Sequence, residues 1–334
     1  MKTNIIATTV FLFAIASFIS MACKIAEEKP TIKLDQTVAM PNVKGRIDHL
    51  VFDAVGQRIF LCALGNGSLE IIDVKNGTVL QSIKNLSSPQ GILFIPDKKK
   101  IIVACGGDGF VRVFDSEKYS RLDSVYVGND ADNMRFDSLQ QKIYVASDNG
   151  MTILNLSDLK ILKNVELEGH PESFQIDRIT RRMFVNVPDA KEVEVIDMKS
   201  NIVSEKWGLM DAKENFPMSV DETNHRVFIA CRHPSKIIVM DDQTGNVITA
   251  VGCSGDADDL FYDVATKQIF ISCGEGFIDV FKEKETNVFS QTDHLSTRFL
   301  ARTGLFVSSE KKFFLAVPAT LAESAELRSY TLIP

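Results

Sequence analysis

The chain contains no CxxC pair among its six cysteines, so no zinc ribbon or finger is encoded. Cys23 lies in the N-terminal segment. The other five are an odd number, which excludes a closed disulfide framework. Beyond residue 30, no run of ten or more residues keeps a 3.6-residue apolar period, and this rules out armadillo and HEAT helical repeats. Positive charge is not in surplus: 37 Lys and Arg face 44 Asp and Glu, for a net charge of −7. General affinity for a phosphate backbone is therefore not expected unless basic residues segregate. Long hydrophobic runs are absent but for one at the N-terminus. With 45% hydrophobic and 24% charged residues over 334 positions, the composition is that of a soluble globular chain with a sizeable core.

The one long uncharged run, residues 5–19, follows Lys2 and leads into Ser20-Met21-Ala22-Cys23. A basic start, an apolar middle and a small-residue cleavage site make an export signal. Fifteen residues at the helical rise fall short of a bilayer's hydrocarbon core, so a retained transmembrane helix is not expected. The reading is a signal peptide over residues 1–22, a tether over 23–30 and one folded domain over 31–334. The tetrad ending in Cys23 resembles a bacterial lipoprotein box, with Ser20 where Leu is usual. It implies lipidation at Cys23, a membrane anchor, and location in the periplasm or outer membrane.

Internal repetition dominates the remainder. Runs of the pattern charged-apolar-aromatic-apolar begin at Arg58, Lys100, Lys142, Arg182, Arg226, Gln268 and Lys312, with spacings of 42, 42, 40, 44, 42 and 44 residues. Each unit holds four short apolar runs separated by turn sequences such as Gly65-Asn66-Gly67 and Asn76-Gly77, which indicates antiparallel strands throughout. A period near 42 with four strands per unit is that of a propeller blade. The sequence therefore predicts an all-β, seven-bladed β-propeller with four antiparallel strands per blade. The last unit has only three strands, while residues 31–40 form an unassigned alternating strand before the first unit. That N-terminal strand is expected to close the ring as the outer strand of blade seven, leaving no open edge. Cys62, Cys105, Cys231 and Cys273 each end an apolar run and read as buried small hydrophobes.

Several runs carry a family likeness: Gly45-Arg46-Ile47-Asp48-His49-Leu50, Gly169-His170-Pro171-Glu172-Ser173-Phe174, Lys213-Glu214-Asn215-Phe216-Pro217 and Asp256-Ala257-Asp258-Asp259-Leu260-Phe261-Tyr262-Asp263. From about residue 31 to the end the chain resembles exported bacterial propellers of the YVTN or YncE-like class. The YVTN strand motif itself survives only as Ile143-Tyr144-Val145-Ala146. The resemblance implies a seven-bladed fold outside the cytoplasm. It carries no catalytic signature, and it implies DNA binding only through some members of the class.

In a propeller, the loops before the inner strands converge on the mouth of the central channel. They supply Arg46, Asp48 and His49; Gln90; Asp130, Asp132 and Asn133; His170 and Glu172; Asn215; Asp256, Asp258 and Asp259; and Arg302. The tips of the second loop set, Asn66, Asp108, Asp148, Asp189, His233 and Glu275, are expected on the same face. Asp and Asn also cap turns, and Asp53, Asp137, Asp177, Asp221 and Asp263 read that way. The mouth residues differ in type from blade to blade, which a purely structural repeat would not require. His49 and His170 are expected to hold equivalent places in blades one and four, to share a site, and to be favoured as imidazolium by the acids around them.

Three functions follow as expectations. The first is a binding or scaffold protein whose mouth takes a small polar ligand, a metal ion or a protein segment. The second is a metal-assisted lyase or hydrolase, lactonase-like, built on His49 and His170, with His49, His170, Glu172 and Asp258 as ligands of a divalent metal ion. The third is nucleic-acid binding through a basic patch formed by the starts of the second strands. Without interleaved aromatics, nucleic acid is not the favoured partner. A monomer is expected.

Overall fold

The computed structural model describes residues 30–333. The signal peptide expected over residues 1–22, and Cys23, lie outside these described residues. The chain forms seven four-stranded antiparallel sheets, one per repeat. In blade one the strands run Leu50–Asp53, Arg58–Ala63, Ser68–Asp73 and Thr78–Lys84, from the channel outward. Blade seven is completed by Ile32–Met40, which pairs antiparallel with Ala325–Leu332 from Ile32↔Leu332 to Met40↔Ala325. The ring closes as the alternating pattern of residues 31–40 predicts.

The second strand of each blade explains why its sequence is continuously apolar. Ile59, Phe60, Leu61, Cys62 and Ala63 are all fully buried, because both faces of the strand pack against neighbouring blades. The core is accordingly split into seven clusters, one at each blade-to-blade junction. Cys62, Cys105, Cys231 and Cys273 are buried in these layers and free, as small hydrophobes. Outer strands such as Thr78–Lys84 face solvent.

Each inner strand runs from the loop-rich upper face to the lower face. At the lower end of five of them an aspartate caps the turn: Asp53 Oδ1 accepts from the Val55 and Gly56 amides, and Asp177 Oδ1 from those of Ile179 and Thr180. The same face carries the basic strand starts, and acids match most of them. Arg58 pairs with Asp53 at 2.6 Å, Arg181 with Asp137 at 2.5 Å, Arg226 with Asp221 and Glu283 at 2.8 and 2.7 Å, and Lys312 with Asp35 at 2.8 Å. Among the described residues Lys100 and Lys142 have no such partner. Two lysines make a poor phosphate track, so the expected basic patch is largely neutralised.

Candidate functional site

Strand register sets which upper-face residues are equivalent. The Asp48 amide donates to Cys62 O, the Asp132 amide to Ala146 O and the Glu172 amide to Asn186 O, while Ile92, Met218, Leu260 and Gly304 open the corresponding pairings of the other blades. One ring around the channel is therefore Asp48, Gln90, Asp132, Glu172, Phe216, Asp258 and Arg302. The next residue in each blade is His49, Gly91, Asn133, Ser173, Pro217, Asp259 or Thr303. Arg46, Asp130, His170, Glu214 and Asp256 lie two positions before the ring, nearer the surface.

This register corrects the equivalence expected for the two histidines. His170 aligns with Arg46, three positions away from His49. His49 immediately precedes Leu50, whereas His170 lies four residues before the equivalent Phe174; the β-bulges between Pro89/Ile92 and Asn215/Met218 shift Gln90 and Asn215 in the same comparison. His49 Nε2 lies 3.8 Å from Asp48 Oδ1 and 3.9 Å from Asp132 Oδ1. It reaches blade three because blade two places Gly91 between them: a Cβ on Gly91 would fall 2.0 Å from Asp132 O. His170 belongs to a separate group. Its Nδ1 is 2.7 Å from Asp148 O, an acceptor, so Nδ1 carries the proton. Its Nε2 faces Asp130 Oδ2 at 3.9 Å, and Asp130 Oδ1 accepts from Gln90 Nε2 at 2.9 Å.

Arginines divide the mouth into a paired and an unpaired half. Asp258 Oδ1 is 2.7 Å from Arg232 Nη2, Asp258 Oδ2 is 3.4 Å from Arg302 Nε, and Asp256 accepts from Arg302 Nη1 at 2.7 Å. Arg46 Nη2 pairs with Asp48 Oδ2 at 3.0 Å. Asp132 and Glu172 lack such partners among the described residues, and Asp132 Oδ1 is buried without a hydrogen-bond donor. Burial pushes the Asp132 carboxyl well above its usual range, reinforced by Asp48, Glu172 and Asp130. Burial likewise raises Glu172 to about 7, with Asp258 and Asp48 adding to the rise and His170 and Arg232 opposing it. Asp259 is also pushed well up by burial and by Asp258, against the Gly304 amide that donates to its Oδ2 at 2.8 Å.

The expectation that the mouth favours an imidazolium is corrected at His49. Burial lowers its pKa, outweighing the pull of Asp48, so the ring is neutral at pH 7. Asn215 stands apart from the mouth: it is fully buried, and its Nδ2 donates to Asn186 Oδ1 and Glu192 O. Asn133 braces Arg135 through a 2.9 Å bond to Nη1. Most second-loop tips are spent on bracing loops: Asp108 holds Arg112, Asp148 the Asn129 amide, and Glu275 the Gly255 amide. Among the described residues no group of three or more His, Cys, Asp and Glu is arranged to hold a metal ion. Thus His49, His170, Glu172 and Asp258 do not form one coordination sphere.

Two channel residues are missing from the sequence reading. Arg232 arrives because the second strand of blade five, Arg226–His233, runs two residues beyond Cys231; it lies over Phe216, 3.8 Å from the ring centroid. Arg135 is the only charged residue at its position among the seven inner strands, a legible signal hidden by treating inner strands as uniform.

The chain matches no protein-family profile. It is 22% identical over 163 residues to "Uncharacterized protein YncE" of Salmonella typhimurium and 21% identical to the protein of that name from Salmonella typhi. The match covers 47% of this chain and 46% of those relatives, so the aligned region spans less than half the length of the curated relatives. Over that part the YncE-like resemblance is borne out. Among solved structures, a chain described as "Crystal Structure of Mitotic Checkpoint Complex" superposes with a TM-score of 0.78 at 10% identity, covering 98% of this chain and 100% of its own. That likeness is one of fold alone. β-Propellers commonly serve as binding or scaffold folds.

Proposed function

We propose that this protein is an exported binding protein whose upper channel mouth takes a ligand presenting an ammonium or guanidinium group, either a small polar molecule or a basic side chain of a protein segment. The carrying observation is the unpaired half of the mouth: Asp132 Oδ1, buried without a donor, faces the Nε2 of His49 at 3.9 Å, with the unpartnered carboxyl of Glu172 nearby in the same ring. Buried acceptors left without donors are costly. A cationic donor entering from solvent satisfies them with charge-assisted bonds. The paired half, held by Arg232 and Arg302, is already neutralised and repels a second cation. The metal-assisted lyase or hydrolase reading stands second, because the groups it needs are dispersed over three levels of the mouth. Export through residues 1–22, anchoring at Cys23 in the periplasm or outer membrane, and a monomeric state belong to the same proposal.

Calorimetric titration with spermidine and with a pentalysine peptide tests the ligand class. Saturable binding at pH 8, weakened at least tenfold in Asp132→Asn, supports the reading. It should also weaken as pH falls through about 7, because Glu172 then takes up a proton and loses its charge. No binding of either probe, or equal affinity in Asp132→Asn, overturns it.

A further inference from the structure

The channel has a second opening, at the lower ends of the inner strands, and it leads into a cavity of about 570 Å³. Leu93, Phe136, Ile176, Val220 and Val264 form apolar walls, and Arg135 lines the same space. By register, Arg135 stands where the other blades place Val51, Leu93, Gln175, Ser219, Phe261 and Leu305. Six uncharged residues at this place show that the repeat itself needs no cation there.

The guanidinium is provided for, but only by neutral groups. Nη1 donates to Asn133 Oδ1 at 2.9 Å and to Met134 O at 2.8 Å, and Nε reaches Gln175 Oε1 at 3.5 Å. The Phe174 ring lies beneath it, 5.3 Å from Cζ to centroid. Nη2 has no acceptor among the described residues, and no carboxylate there is close enough to form an ion pair. Asp259 and Asp132 act on it only through the field across the channel. Burial draws its pKa down to about 10, so it remains a cation at neutral pH. A half-buried cation with a free Nη2 and no counter-charge favours an anion that can reach it from the chamber.

We propose that this lower chamber binds a small monocarboxylic acid with an apolar, aromatic or branched body. The carboxylate would take the free donors of Arg135, the geometry in which guanidinium and carboxylate match best, while the body lies against the five apolar walls. A cavity of this size suits such a ligand. Phosphate fits less well, because of the two lining guanidiniums only Arg135 lacks a carboxylate partner, and Glu222 in the same lining repels a doubly charged anion. Arg178, at the rim, is already held by Glu222 at 3.2 Å. The chamber's lining shares no residue with the upper mouth.

Calorimetry and ligand-observed NMR with phenylacetate, and with inorganic phosphate as the contrasting anion, test the proposal on the purified protein. One phenylacetate per chain is expected, with phosphate at least tenfold weaker. Arg135→Gln should lose phenylacetate affinity tenfold or more while melting near the wild-type temperature. If that variant fails to fold, Val264→Trp provides the test: Val264 is 48% exposed, and the indole should block the chamber and abolish binding without touching Arg135's bonds. Phenylacetate binding without spermidine binding, or the reverse, separates failure here from failure of the mouth reading. The proposal is overturned if phenylacetate does not bind saturably, if phosphate binds as tightly, or if the folded Arg135→Gln or Val264→Trp variant binds like the wild type.

Discussion

Glu172 shows how a single residue ties the chemistry of the mouth to the stability of the ring. Its carboxyl is raised to about 7 by burial and by neighbouring acids, from its ordinary 4.5. An acid raised in the folded state binds more protons folded than unfolded between those two values. Its favourable contribution is therefore full below about 4.5 and is lost as pH rises through about 7. Allowing for screening by channel water, ionising it above pH 7 costs on the order of 2 kcal/mol. Glu172→Gln, which stays neutral, should melt at the same temperature as wild type at pH 4.5 and several degrees higher at pH 8. Equal melting temperatures at both pH values would show that the carboxyl is fully solvated. The acidity of this loop was legible in the sequence; its lack of a cation was not, because Arg232 and Arg302 choose Asp256 and Asp258 only once the blades are in place.

Among the strands, Ile32–Met40 carries a role beyond its own length. It buries Ile32, Val38 and Met40 to 3% exposure or less, and its eight paired positions with Ala325–Leu332 join the first part of the chain to the last. Burying three such side chains is worth roughly 5–8 kcal/mol, comparable to the net stability of a domain. Deleting residues 31–41 should lower the melting temperature by roughly 10 °C or more and expose the outer edge of blade seven. An unchanged melting curve would contradict the closure. The existence of this strand was readable from alternation, and its destination from the missing fourth strand of the last unit. The β-bulges were not readable, since an inserted residue changes register without changing composition, and they misplaced Gln90 and Asn215 relative to His49.

On the scale of the whole molecule, the channel is divided by charge. Unpaired carboxylates face the upper opening, and Arg135, unpaired, faces the lower. Export and anchoring bear on the molecule as a unit as well. If Cys23 carries a lipid, Cys23→Ala should move the protein from the membrane fraction to the soluble fraction on cell fractionation, because no helix among the described residues is long and apolar enough to cross a membrane. A wild-type protein already in the soluble fraction would remove the anchor from the proposal.

The sequence by itself determined the architecture. Seven repeats near 42 residues, four apolar runs in each and a spare N-terminal strand leave one closed arrangement, because each blade can bury both faces of its middle strands only between two others. It also determined that the upper loops would be polar and varied. Only the tertiary structure decided which of those residues face each other and which are already satisfied. Partners such as His49 and Asp132, or Arg302 and Asp256, lie 83 and 46 residues apart in the chain. They meet through ring curvature and strand register, which arise from the packing of all seven blades together. Ionisation followed the same rule: burial, not the count of acids nearby, set His49 neutral and raised Asp132 and Glu172, because desolvation depends on three-dimensional surroundings that no local stretch of sequence records.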